Sequence, residues 1–136
     1  MILLLILLQL SLPSGDNAWV VEITSTGGFT GNGGGDIAVS SAGQLRCNTP
    51  GMKCPKDFDG SSLVPLVDAV PFGRQTVSVP PWGAICNDCI DRTIFIRRRN
   101  AAGMVQVYSA SWNDLTASQI PRGVLRLYDY VLRLLR

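Results

Sequence analysis

Apolar residues recur along the chain with two different periods, and the switches between them mark out its elements. Alternation with period two runs through Trp19–Ser25, where Val21 and Ile23 face one way and Val20 and Glu22 the other. It returns at Asp36–Ser40, with Ile37 and Val39 on one face, and Gln44–Cys47 is read as a brief continuation of the same sheet. The pattern is densest from Cys86 to Tyr108. There, Thr93–Arg97 and Val105–Tyr108 flank Asn100-Ala101-Ala102-Gly103, a polar connection containing glycine, which predicts an antiparallel hairpin. Ile94 and Ile96 share one face of the first arm; Thr93, Phe95 and Arg97 share the other. Ile94, Ile96 and Val107 are expected inside. Phe72–Ala84 reads as a loop with strand character at Val77 and Val79, and Ser109–Leu115 as chain leaving the sheet.

The helical period appears twice. Leu63, Leu66, Val67 and Val70 form a stripe at helical spacing, with Ser61 or Ser62 as cap and Pro65 in the first turn, where its missing N–H is tolerated. Pro71 and Gly73 end that helix. Pro121 opens a second, from Arg122 to about Leu135, with Val124, Leu127, Tyr128, Val131, Leu134 and Leu135 as its stripe. Arg122, Arg126, Arg133 and Arg136 lie towards its other side, as on a membrane-surface helix. An amphipathic helix following several strands is read here as the cover of a sheet face. These elements predict an α+β fold: an antiparallel four-stranded sheet, made of two hairpins, with two helices packed on it.

Met1–Leu12 is almost wholly apolar, and too short for a span of about 20 residues. Followed by the break Pro13-Ser14-Gly15, it reads as a signal peptide over residues 1–15, cut between Ser14 and Ala18, ahead of one domain over residues 16–136. The protein is therefore expected to be secreted or periplasmic, with no stable membrane anchor after signal removal. Its four cysteines, Cys47, Cys54, Cys86 and Cys89, fit two disulfides in such a compartment. Local pairing of Cys47 with Cys54 and Cys86 with Cys89 needs the least loop closure, whereas crossed pairing would stabilise more.

Composition narrows the chemistry. Twelve basic residues nearly balance ten acidic ones, which argues against nucleic acid as a partner. Histidine is absent, so triad hydrolases and His-ligated zinc are excluded. Cys86-Asn87-Asp88-Cys89 runs into a strand instead of a helix N-terminus, against a redox-active pair. Asp57, Asp59, Asp88, Asp91 and Asp114 form no carboxylate pair legible from spacing. The glycine-rich stretch Thr26–Gly35 lacks the Lys-Ser/Thr and the helix that a phosphate loop requires. No enzyme, cofactor or metal is expected.

What remains is surface contact. Gly27, Gly28, Phe29 and Thr30 form a turn with an aromatic anchor; Trp82 and the Arg97-Arg98-Arg99 run, placed at the hairpin tip, are the other partner-binding candidates. The run also reads as a solvated turn that blunts a strand edge.

The order of a first strand ending in Thr26-Gly27-Gly28-Phe29-Thr30-Gly31, a second strand, a short Leu63-x-x-Leu66-Val67-x-Ala69 helix, a hairpin and a Pro-led terminal helix resembles the emfourin family, small protein inhibitors of thermolysin-like (M4) metallopeptidases. The resemblance spans roughly Trp19–Leu135. It implies inhibition of an extracellular or periplasmic zinc peptidase by steric insertion of a loop, with the protein acting as a monomer. A secreted, disulfide-stabilised binding or structural module without inhibitory activity is the alternative expectation.

Overall fold

The structure, a computed structural model, describes residues 10–27, 35–48, 54–55, 58–73, 77–78 and 89–134. Its fold is α+β. Strands β1 (Trp19–Gly27), β2 (Gly35–Ser40), β3 (Leu45–Asn48), β5 (Ile90–Arg99) and β6 (Val105–Trp112) pair antiparallel in the order β3-β2-β1-β5-β6. A two-residue strand, β4 (Val77–Ser78), adds to β6 in parallel. The sheet therefore has five antiparallel strands where four were expected: Leu45–Asn48 is a strand in its own right. Helices α1 (Val64–Asp68) and α2 (Arg122–Arg133) accompany it.

Strand parity decides which residues meet. Ile23 lies opposite Ile37 and Ile94, Val21 opposite Val39 and Ile96, and Ile96 opposite Tyr108. These side chains share the helix-covered face with Trp19, Leu45, Ala110 and Trp112, and all belong to one buried cluster. From α2, Val124, Leu127, Tyr128 and Val131 enter the same cluster, the stripe that the helical period marked out. Each such side chain contributes on the order of 1.5–3 kcal/mol by leaving water. The Tyr128 ring meets Trp112 edge to face at 5.1 Å, joining α2 to the end of β6.

Three expectations are corrected. Val107 is 46% exposed, not buried with Ile94 and Ile96. It pairs with Arg97 on the opposite face, and Tyr108 occupies the inner position. Ser109–Trp112 does not leave the sheet but extends β6, because Ala110 and Trp112 alternate into the core while Thr93 and Ser111 share a hydrogen bond (3.0 Å) on the other face. The α1 region begins as a 3₁₀ turn, Gly60–Leu63, capped by Asp59 instead of a serine: its carboxylate accepts from Ser61 N (3.0 Å) and Ser61 Oγ (2.7 Å). Those hydrogen bonds favour the charged form and hold the Asp59 pKa low.

Candidate functional site

The second face of the sheet carries Val20, Glu22, Ala38, Phe95, Arg97, Val105 and Val107, and none of the buried residues of α1 or α2 packs there. Its end nearest the β5–β6 hairpin has three components.

The first is a docked N-terminal segment. Leu10 is 2% exposed and forms a small cluster with Val20 and Ala38, with Leu12 against it. The chain then turns through Asn17, which adopts a left-handed φ of 60°, a conformation asparagine tolerates, and enters β1.

The second is a row of arginines. Arg97–Arg99 are the last three residues of β5, so the turn lies beyond them and strand alternation sends them to two faces. Arg97 Nη2 donates to Glu22 Oε1 (2.9 Å) and to the carbonyl of Leu10 (2.6 Å). Arg99 Nη1 donates to the carbonyls of Pro13 (2.9 Å) and Gly15 (3.3 Å). Arg98, on the helix side, lies 4.2 Å over the Phe72 ring and donates to Gln106 Oε1 (2.9 Å). Burial under the segment raises the Glu22 pKa, and Arg97 pulls it the other way. A raised carboxyl pKa means the folded state binds its proton more tightly than the unfolded chain. Glu22's contribution to stability is therefore full below its ordinary pKa and is lost as pH rises through the raised folded-state value.

The third is the hairpin tip. Asn100 N donates to Met104 O (2.8 Å), Gly103 N to Asn100 O (2.9 Å), and Gly103 takes φ 81°. This is a type I turn followed by a left-handed residue, the usual three-residue hairpin loop. Asn100 Oδ1 accepts from Ala102 N and Met104 N, both at 3.0 Å, fixing the loop from within. Met104 (67%), Val105 (51%) and Val107 (46%) are three of the five large exposed apolar residues among the described residues, and they are consecutive or alternate along one stretch. β4 pairs with β6 only at Ala110 and Ser111, so among the described residues no strand covers the outer edge of Val105–Ser109.

The other candidates lie elsewhere. Gly27 closes β1 opposite Ile90, at the far end of the sheet. Gly28, Phe29, Thr30, Trp82 and Cys86 fall outside the described residues. Cys47 and Cys54 form a disulfide with Cα atoms 5.7 Å apart, which matches the local pairing and fits an oxidising, extracellular compartment. Cys89, nearly buried, is also disulfide-bonded. At the far end of β5, Asp114 accepts from Arg92 and from Ile90 N (3.1 Å), and the Arg92 contact holds its pKa low. This pair ties the start of β5 to the chain after β6. A shallow groove between the helices is lined by Leu66, Arg126, Asp129, Tyr130 and Arg133. Among the described residues no helix is long and apolar enough to cross a membrane, and no group of three or more Cys, Asp or Glu is placed to hold a metal ion.

Sequence reasoning missed Met104, Val105 and Leu10. The available signal for Val105 was the parity of β6: once Tyr108 is taken as the inner residue, Val105 and Val107 must face out. Comparison with protein-family models, with curated proteins and with solved structures finds no match for the chain.

Proposed function

We propose that the chain is an exported binding module whose helix-free face, at the β5–β6 hairpin end, docks on a protein partner. The observation that carries this is the exposed Met104–Val105–Val107 patch beside a strand edge that no described strand covers, next to Arg97 and Arg99. Apolar residues flanked by guanidinium groups are the composition of an interface centre, and an open edge offers main-chain pairing to an extended segment. The sheet and the internally hydrogen-bonded Asn100 loop preorganise the surface, which lowers the entropy lost on binding.

The partner class follows from the resemblance in the Gly27–Gly31 turn. It is an extracellular or periplasmic thermolysin-like zinc peptidase, blocked sterically by a loop carrying Gly28, Phe29 and Thr30, with Trp82 as a further contact. The protein has no catalytic role of its own in this reading. The second reading, a structural module without inhibitory activity, keeps the hairpin-end face as its contact surface and has no peptidase-blocking loop.

The test is inhibition of a panel of M4 peptidases by the purified exported protein. Tight inhibition, weakened at least tenfold by Phe29→Ala, supports the inhibitor reading. No inhibition of any panel member removes the peptidase. A protein partner lost on Val107→Asp then retains the binding surface alone.

A further inference from the structure

The bed beneath the N-terminal segment has properties of its own. Its floor is apolar, made by Val20 and Ala38, which are 0% and 1% exposed with Leu10 in place. Its rim is cationic, and every contact that the rim makes to the segment runs from a guanidinium to a main-chain carbonyl: Arg97 to Leu10, Arg99 to Pro13 and Gly15. Among the described residues, the segment thus holds its place by the Leu10 side chain, with Leu12 packed against the same cluster, and by three carbonyl oxygens. Any extended chain carries those carbonyls, so the demand made on sequence is for leucine, above all at the position of Leu10. One further donor, Arg97 Nε, is buried without an acceptor among the described residues.

The bed and its occupant stand on opposite sides of the proposed cleavage. A cut between Ser14 and Ala18 removes Leu10 and Pro13 and leaves Val20, Ala38, Arg97 and Arg99 in the domain. We infer that the bed is a peptide-docking slot, which the leader fills in the uncleaved chain and which afterwards takes an extended, leucine-bearing segment of a partner protein. This rests on the reading of the chain as an exported binding module and names the chemistry of the segment that this module accepts. The slot adjoins the Val107 patch, because Arg97 and Val107 are cross-strand neighbours. A partner seated on one therefore extends onto the other.

The probe is an acetylated, fluorescein-labelled peptide with the sequence of residues 9–16, Gln-Leu-Ser-Leu-Pro-Ser-Gly-Asp, followed by anisotropy. The intact full chain should bind it at least tenfold more weakly than the full chain carrying Leu10→Asp, in which the segment is unseated. Adding Arg99→Ala to that variant should weaken binding several-fold. Replacing the first leucine of the peptide with alanine should weaken it at least tenfold. The exported, processed protein should bind the peptide as the Leu10→Asp chain does, and this arm stands even where that substitution lowers stability. Equal binding by the intact and Leu10→Asp chains overturns the slot. So does no binding by the processed protein with an intact circular dichroism spectrum. An exported protein whose N-terminal sequencing still begins before Leu10 overturns the vacancy. Peptide binding without peptidase inhibition would leave the slot and remove the inhibitor reading; inhibition without peptide binding would do the reverse.

Discussion

Two turns of this molecule have the same backbone and opposite surroundings. Ser40–Gln44 joins β2 to β3, with Ser40 N to Gln44 O and Gly43 N to Ser40 O both at 3.0 Å and Gly43 at φ 79°. Asn100–Met104 joins β5 to β6 with the corresponding bonds at 2.8 and 2.9 Å and Gly103 at φ 81°. Each loop ends in Ala-Gly, and the glycine supplies the left-handed residue. The first turn is locked in. Ser41 N donates to Trp19 O, Ser41 Oγ accepts from Trp19 N, and a Cβ on Gly43 would lie 3.1 Å from Phe58 O. At the second turn, no atom of the described residues lies within 4 Å of a Cβ on Gly103, and Met104 stands in solvent. Local sequence wrote the same geometry twice; tertiary context made one a fastening and left the other as a projection.

Substitutions should separate the two turns in order of size. Gly43→Ala should be the costliest, about 2 kcal/mol by urea denaturation, because the strain of a left-handed alanine adds to a displacement of the Phe58 carbonyl. Gly103→Ala meets only the strain and should cost about 1 kcal/mol; equal losses at both positions would break the comparison. Asn100→Ala removes two internal hydrogen bonds whose donors water can resatisfy, so a loss of about 0.5–1 kcal/mol is expected, with faster amide exchange confined to Ala102 and Met104. Val107→Ser should change stability by less than about 0.5 kcal/mol, since the side chain is half in water already, yet should weaken partner binding at least tenfold. A stability loss of several kcal/mol there would mean that Val107 belongs to the core.

Much of the frame was legible because single residues dictated it. Val21, Ile23, Ile37, Val39, Ile94 and Ile96 can be apolar on one parity only if one sheet face is buried, and all six are. The α2 stripe follows in the same way. Other features depended on information outside any local window. Ser109-Ala110-Ser111-Trp112 has weak strand character and becomes a strand because its register with β5 puts Ala110 opposite Ile94 and Ser111 opposite Thr93. The inner place in β6 was contested between Val107 and Tyr108, and only the length of the loop, which sets register, decides it for the tyrosine. The arginine run looked like one charged tip; alternation within β5 splits it between two faces and gives each guanidinium acceptors inside the chain. Leu10 carried no signal at all, since an apolar stretch that reads as a leader says nothing of a seat on the sheet.

The strand order has a further consequence, for synthesis. β1 occupies the middle of the sheet, hydrogen-bonded to β2 on one side and to β5 on the other, and its β5 partners run from Ile90 to Arg98. The β1–β2 hairpin can close as soon as it leaves the ribosome, but its other edge waits until most of the chain has been made. Bringing β5 to it requires closure of a long loop, which slows nucleation, and meanwhile a bare apolar strand stands open to mispairing. The central strand is thus among the first parts to be translated and among the last to be completed, so the half-made chain should depend on holdase chaperones until Arg99 emerges.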